Sequence, residues 1–153
     1  MLNDALSIVS WRSRPRSFVA LMSLYESNYL RLAQLVGNSA GNLRSLADSR
    51  VSRVDEDCDL RLMVTERSPY TTSFDLTYLF DAEGVNTYPD MRVRVYHDAR
   101  LVEAQEWASQ HEHEALRRMR GVAERELDQR WVRNTMLNKW LEYCIDRGHG
   151  FHA

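Results

Sequence analysis

Between Leu60 and Trp107 the chain alternates apolar and polar side chains in successive runs, a two-residue period that admits little besides extended strands with one buried face. In the first run Leu60, Leu62 and Val64 alternate with Arg61, Met63 and Thr65. In the second, Phe74, Leu76, Tyr78 and Phe80 oppose Ser73, Asp75 and Thr77. In the third, Met91, Val93, Val95 and His97 oppose Arg92, Arg94, Tyr96 and Asp98. Ser68-Pro69 ends the first run, because proline cannot donate into a central ladder. Gly84, Asn86 and Pro89 mark 81–89 as a turn. Leu101–Trp107 contains helix-favouring Ala, Glu and Gln, yet it follows a strand after one tight turn, and we read it as a strand. A short strand over Arg50–Asp55 precedes the acidic turn Asp57-Cys58-Asp59.

Helical periodicity brackets this region. After Pro15, the residues Phe18, Leu21, Met22, Tyr25, Tyr29, Leu32 and Val36 fall on one stripe, which Gly37-Asn38 stops. Residues 39–50 read as a loop with a short turn around Leu43–Ala47. His111–Arg120 reads as a charged helix interrupted at Gly121. The last helix opens at Leu127-Asp128, carries Trp131, Met136, Leu137, Trp140, Leu141, Cys144 and Ile145, and ends at Gly148. The order of helix, strand run and helix predicts an α+β fold: an antiparallel meander sheet of four to five strands with the N- and C-terminal helices packed on one face. Residues 1–14 are expected to form a loose N-terminal arm, and 15–150 a single domain, as suits 153 residues.

Composition excludes some function classes. A net charge of −2 argues against a general polyanion binder, so nucleic acid is not the expected partner. Nineteen of the twenty basic residues are Arg, a surplus spread along the chain. Cys58 and Cys144 form neither a multi-bridge framework nor a C-x-x-C pair, which suits a reducing cytoplasm. The charges Arg12, Arg14 and Arg16 follow the apolar patch Ala5–Trp11, the reverse of a signal peptide, and no apolar run approaches the ~20 residues of a membrane span. A soluble, cytoplasmic protein is expected. The glycines match neither a dinucleotide fingerprint nor a phosphate loop, and no cofactor is expected.

Three phrases carry a family resemblance: Tyr70-Thr71-Thr72, the run from Pro89-Asp90-Met91 to Tyr96-His97-Asp98-Ala99, and Trp140-Leu141-Glu142-Tyr143-Cys144 with Gly148. Together they resemble the YqiB-like family of small proteobacterial proteins, a domain of unknown function, from about Pro15 to Gly148. Glu26 and Asn28 also match the family pattern, whereas the N-terminal arm and His111–Glu126 depart from it. The resemblance brings no activity to transfer. Family members lie beside genes for an ADP-ribose pyrophosphatase and a cyclic-AMP phosphodiesterase, which implies a link to nucleotide metabolism or signalling. It also favours the strand reading of Leu101–Trp107.

The candidate site residues divide into groups. His97-Asp98 offers an imidazole near a carboxylate, although neighbouring strand residues point to opposite sides and the pair equally suits a turn. Tyr70, Thr71 and Thr72 offer hydroxyl donors but are also ordinary strand formers. Arg92, Arg94 and Tyr96 share one strand face, suited to binding anions or a partner, or to pairing with acids such as Asp75, Glu103 or Glu66. Glu26 and Asn28 flank the first helical stripe, and Asn134 and Asn138 lie one turn apart on the last helix, so they promise either interhelical hydrogen bonds or a polar pocket. In His111-Glu112-His113-Glu114 the histidines stand two apart, the wrong spacing for a helical metal pair, and no metal is expected.

The expected function is that of a small, non-enzymatic binding or adaptor module that meets a protein partner through the Arg92-Arg94-Tyr96 face. The alternative is a sensor of a small ligand, nucleotide or other anion, or a small enzyme, with a pocket near Tyr70–Thr72 and His97-Asp98. Oligomeric state stays open.

Overall fold

The computed structural model describes residues 17–37, 43–80, 89–123 and 128–151. The expected arm at 1–14 lies outside them. Helix α1 spans Phe18–Val36, strands β1 to β5 span Ser49–Ser52, Asp59–Arg67, Thr71–Leu79, Met91–Tyr96 and Leu101–Trp107, and helices α2 and α3 span Glu114–Ala123 and Gln129–Asp146. The strands form one antiparallel sheet in sequence order, the expected meander. Leu101–Trp107 is a strand, paired through Val95↔Val102 and Val93↔Ala104. The fold is α+β.

Alternation sets the sheet's two faces. Leu60, Leu62, Phe74, Leu76, Tyr78, Met91, Val93, Val95, Val102 and Ala104 are buried and join one cluster with Leu32, Leu35, Leu116, Met136, Leu137 and Trp140 from the helices. Side chains of this size each contribute about 1.5–3 kcal/mol on burial, so this layer supplies most of the driving force. Among the described residues no helix is long and apolar enough to cross a membrane.

Three local expectations need correction. The first strand is Ser49–Ser52, not Arg50–Asp55, because the ladder with β2 runs from Ser49 to Ser52. The charged helix begins at Glu114, not His111, and continues past Gly121, where an added Cβ would meet nothing within 4 Å. A solvent-facing glycine costs a helix only about 1 kcal/mol, which this helix tolerates. On α1 the buried face is Ala20, Leu24, Tyr25, Asn28, Tyr29, Leu32 and Leu35, whereas Phe18 is 75% exposed. Asn28 therefore sits at the centre of the buried face and not on its flank.

The reason is the free edge of β5. The final strand of a meander leaves alternate backbone groups without a neighbour, and buried amides must be paired. Asn134 supplies the pairing: its Oδ1 accepts from the Ala104 N–H at 2.7 Å, and its Nδ2 donates to the Ala104 carbonyl at 3.4 Å. Asn28 Nδ2 donates to the Val102 carbonyl at 3.3 Å and to Asn134 Oδ1 at 3.4 Å, while Asn138 Nδ2 donates to Asn28 Oδ1 at 3.1 Å. All three asparagines are buried. Inter-helix hydrogen bonding, one of the two readings of these residues, is present, and it extends to the sheet edge.

Asn134→Ala leaves the Ala104 amide unpaired in an apolar layer, and we expect the unfolding free energy to fall by about 2–3 kcal/mol. Urea denaturation should show a lower midpoint with unchanged slope, whereas Glu26→Ala, on the exposed side of α1, should stay within about 0.5 kcal/mol of the parent.

Candidate functional site

The β4–β5 hairpin turns through His97-Asp98-Ala99-Arg100, between the paired Tyr96 and Leu101. Arg100 closes it with φ of 56°, and its N–H donates to the His97 carbonyl at 3.3 Å. A positive φ in a residue other than Gly, Asn or Asp is uncommon and costs of order 1–3 kcal/mol, held here by the hairpin. His97 continues the inward series of Met91, Val93 and Val95 and is buried. Its N–H donates to the Tyr70 carbonyl at 2.9 Å, and its Nε2 lies 2.8 Å from Thr72 Oγ1. Asp98, the next residue of the turn, is exposed and takes a 2.7 Å ion pair from Arg44, whose guanidinium also donates to the Pro69 carbonyl at 3.3 Å.

These residues enclose a cleft of about 200 Å³ lined by Tyr29, Arg44, His97, Asp98 and Arg100. Burial lowers the His97 pKa below the ordinary imidazole value; the Arg44 charge lowers it further, and Asp98 works against both. No described residue pairs with the Arg100 guanidinium, and Nδ1 of His97 likewise has no protein partner there. Arg44, Arg100 and Tyr29 escaped sequence reasoning. Arg100 lies in a turn and Arg44 in a short helical stretch, neither in a periodic pattern, and Tyr29 reads as a plain core position.

The other candidates distribute as follows. Tyr70 is 67% exposed and joins the site through its backbone, Thr72 lies inside, and Thr71 sits opposite Tyr96 on β4. Arg92, Arg94 and Tyr96 share the outer face, each with a partner. Arg92 Nε bonds Asp75 at 3.0 Å, with Glu106 at 3.8 Å; Arg94 Nε donates to Ser73 at 3.1 Å; the Tyr96 hydroxyl donates to Glu103 at 2.9 Å. The Asp75 hydrogen bond raises the Arg92 pKa, and burial followed by the Glu103 contact raises that of Tyr96. Glu26 is exposed and joins neither group, and Asn28 belongs to the edge network.

A second polar centre occupies the opposite end of the sheet, around Asp57. Its side chain is 3% exposed and accepts from the Tyr78 hydroxyl at 2.8 Å, from His113 Nε2 at 2.8 Å, from His149 Nε2 at 3.0 Å and from the Cys58 N–H at 2.9 Å. His113 stacks on Tyr78 with ring centres 4.2 Å apart. Sequence reasoning missed this centre because His113 and His149 stand outside the regular elements. Ligand atoms of Asp57, Cys58 and His113 lie within 4.8 Å of one another, as a cation would require. The imidazole argues otherwise: His113 Nδ1 accepts from the Ala115 N–H at 3.0 Å, so the ring carries its proton on Nε2 and gives it to Asp57. A ligating nitrogen would have to present a lone pair there. The companion His111 turns to a different carboxylate, Asp90, at 2.8 Å.

Burial pushes the Asp57 pKa up, but the bonds from His113, Tyr78, Cys58 and His149 outweigh it, and the net shift is downward. A lowered carboxylate pKa contributes stability that is complete above the unfolded value of about 3.9 and is lost as pH falls through the folded value. Asp57→Asn should therefore be clearly less stable than the parent at pH 7, and the gap should close as pH drops from about 4 downward. Urea midpoints measured from pH 7 to pH 2 test this; a constant gap would contradict it.

Comparison with known proteins supplies no chemistry. The family model described as "Protein of unknown function (DUF1249)" matches residues 31–150, which include both polar centres apart from Tyr29. The protein titled "Uncharacterized protein YqiB" from Escherichia coli K12 is 26% identical over 131 residues, covering 86% of this chain and 90% of its own. Its counterparts from Escherichia coli O6:H1 and O157:H7 match to the same extent. No solved structure matches.

Proposed function

The chain belongs to the family of proteins of unknown function DUF1249, and from that premise we propose that it is a small-anion-binding module whose site is the cleft at the β4–β5 hairpin. The observation that carries this reading is an imbalance of commitment. The Arg100 guanidinium and Nδ1 of His97 border one cleft without protein partners among the described residues, while the outer-face arginines are bonded in register. A guanidinium with spare donors, beside an imidazole and a phenol, matches the oxygens of a phosphate or carboxylate.

Binding suits the site better than turnover. Neither cysteine borders the cleft, and both thiols are held protonated: burial pushes Cys144 up to about 12, and burial together with Asp57 and Asp59 raises Cys58. Both cysteines are free, consistent with action in the cytoplasm. The ligand-sensor alternative thus gains on the adaptor reading. An adaptor surface on the half-exposed outer face remains the second reading, because Arg92, Arg94 and Tyr96 line up there on one strand; it calls for an acidic partner whose capture Arg92→Glu with Arg94→Glu would abolish.

A thermal-shift titration with phosphate at constant ionic strength tests the cleft. Saturation at 100 times the Kd stabilises the folded state by about 2.7 kcal/mol, a rise of several degrees in Tm. Arg100→Asn removes the charge but suits the left-handed backbone, so its own Tm should stay near the parent's while the phosphate-induced rise disappears. An equal rise in both proteins would place the anion elsewhere.

A further inference from the structure

Cleft size and lining narrow the ligand, an argument that rests on the anion-binding reading above. Sites for drug-sized and cofactor ligands span roughly 300–1,000 Å³. About 200 Å³ is too small for a base, ribose and phosphate together, but it holds a tetrahedral oxyanion with a short substituent. Charge narrows it further. Arg44 is paired with Asp98, which leaves Arg100 as the uncompensated cation, and one guanidinium neutralises half of a dianion.

The second half has one source among the described residues. His97 spends Nε2 on Thr72 and leaves Nδ1 without a protein partner. The groups facing it are Tyr29 from α1, Arg44 from the helical residues 43–44, Asp98 and Arg100 from its own hairpin, and the Thr72 hydroxyl from β3. Of these, only His97 changes charge near neutral pH. Thr72 Oγ1 can accept from Nε2–H as readily as it donates to a bare Nε2, so protonation needs no rearrangement of that contact. We infer that the cleft takes a compact dianionic oxyanion, inorganic phosphate or a small phosphate monoester, and that binding draws one proton onto His97, whose Nδ1–H and the Arg100 fork then grip the oxygens together.

The balance is one dianion and one proton in, with no covalent change. Burial and Arg44 disfavour the imidazolium in the free protein, and a bound dianion reverses that preference. Reciprocity then requires affinity to rise as pH falls, by up to about tenfold per pH unit for one proton.

Sulfate is the direct probe, because it stays a dianion throughout the range used and its own titration cannot imitate that of His97. Calorimetric affinities for sulfate at pH 6 and pH 8, at constant ionic strength, should differ by fivefold or more in the parent and by less than twofold in His97→Gln, which keeps a hydrogen-bonding group toward Thr72 but cannot charge. NMR of the parent should show sulfate raising the pKa of the His97 imidazole, a readout that a purely structural histidine would not give. Phosphate and glycerol phosphate should both bind at pH 7, tighter phosphate pointing to the free ion as the ligand and tighter glycerol phosphate to a monoester; binding of neither would overturn the compact dianion. Sulfate bound equally at both pH values, but lost in Arg100→Asn, would overturn the proton-coupled dianion and leave the anion cleft standing. Failure of sulfate and phosphate to bind at any pH would overturn both. Adenosine monophosphate binding more than tenfold tighter than phosphate would overturn the size argument alone.

Discussion

The amide of Asn134 against the edge of β5 is the contact on which the rest of the architecture depends. A meander of five strands ends at an edge, and this one is buried under helices where water cannot serve its backbone. Asn134 presents a carbonyl and an NH₂ in the spacing of a peptide group and so substitutes for the missing neighbour at Ala104. Asn28 does half of the same for Val102 and ties α1 to α3 through Asn134 and Asn138. An apolar replacement could fill the volume but not the bonds, and each unpaired buried backbone group costs about 1–3 kcal/mol. The network fixes the rotation of α1 about its axis and sets the next residue, Tyr29, against the cleft at the hairpin end of the sheet.

The two ends of the sheet contrast in how their polar groups are used. At the Asp57 end the carboxylate oxygens take four donors, and the ring nitrogens of His113 and His149 are filled on both sides, by Ala115 and Asp57 in one case and by Ser52 and Asp57 in the other. Such saturation fastens the segment before α2 and the chain after α3 to the sheet, a role completed where Phe151 buries its ring and its N–H bonds the Leu35 carbonyl. At the hairpin end, donors outnumber the acceptors that meet them. Saturation favours a single rigid structure, while unmet donors beside a cleft favour a ligand.

Most of the sheet was legible because alternation is a direct image of its two faces, and even β5, with helix-favouring residues, declared itself by its place after a tight turn. Helix α1 was misread in rotation because its central inward residue is Asn28, and a periodicity count treats a buried amide as an outward one. The His97–Thr72 contact and the cleft spread over α1, the helical residues 43–44 and the hairpin join residues far apart in sequence, which no single periodic pattern links. His111 and His113 were judged by helical spacing, but they precede α2, where that geometry does not apply. Of the lining residues only His97 and Asp98 marked the cleft beforehand, and they stand in the turn after β4, where the alternation used to separate them no longer applies.

Nineteen arginines give this chain many potential anion sites, so their number cannot identify one. Their existing bonds, taken with the clefts they border, narrow the choice. Arg92 and Arg94 pair across the sheet, Arg67 reaches Leu46 and Asp48, and Arg117 and Arg120 turn back to backbone carbonyls before α2. The larger hollow of about 750 Å³ beside Arg117 and Arg120 therefore offers guanidinium groups already engaged. Moving any of these to a ligand sacrifices a bond about as good as the one gained. Arg100 faces no such exchange, and its backbone is held at positive φ by the hairpin that also seats His97. A cation whose recruitment breaks no existing contact can contribute nearly its whole interaction to binding, which is why the smaller cleft is the better site.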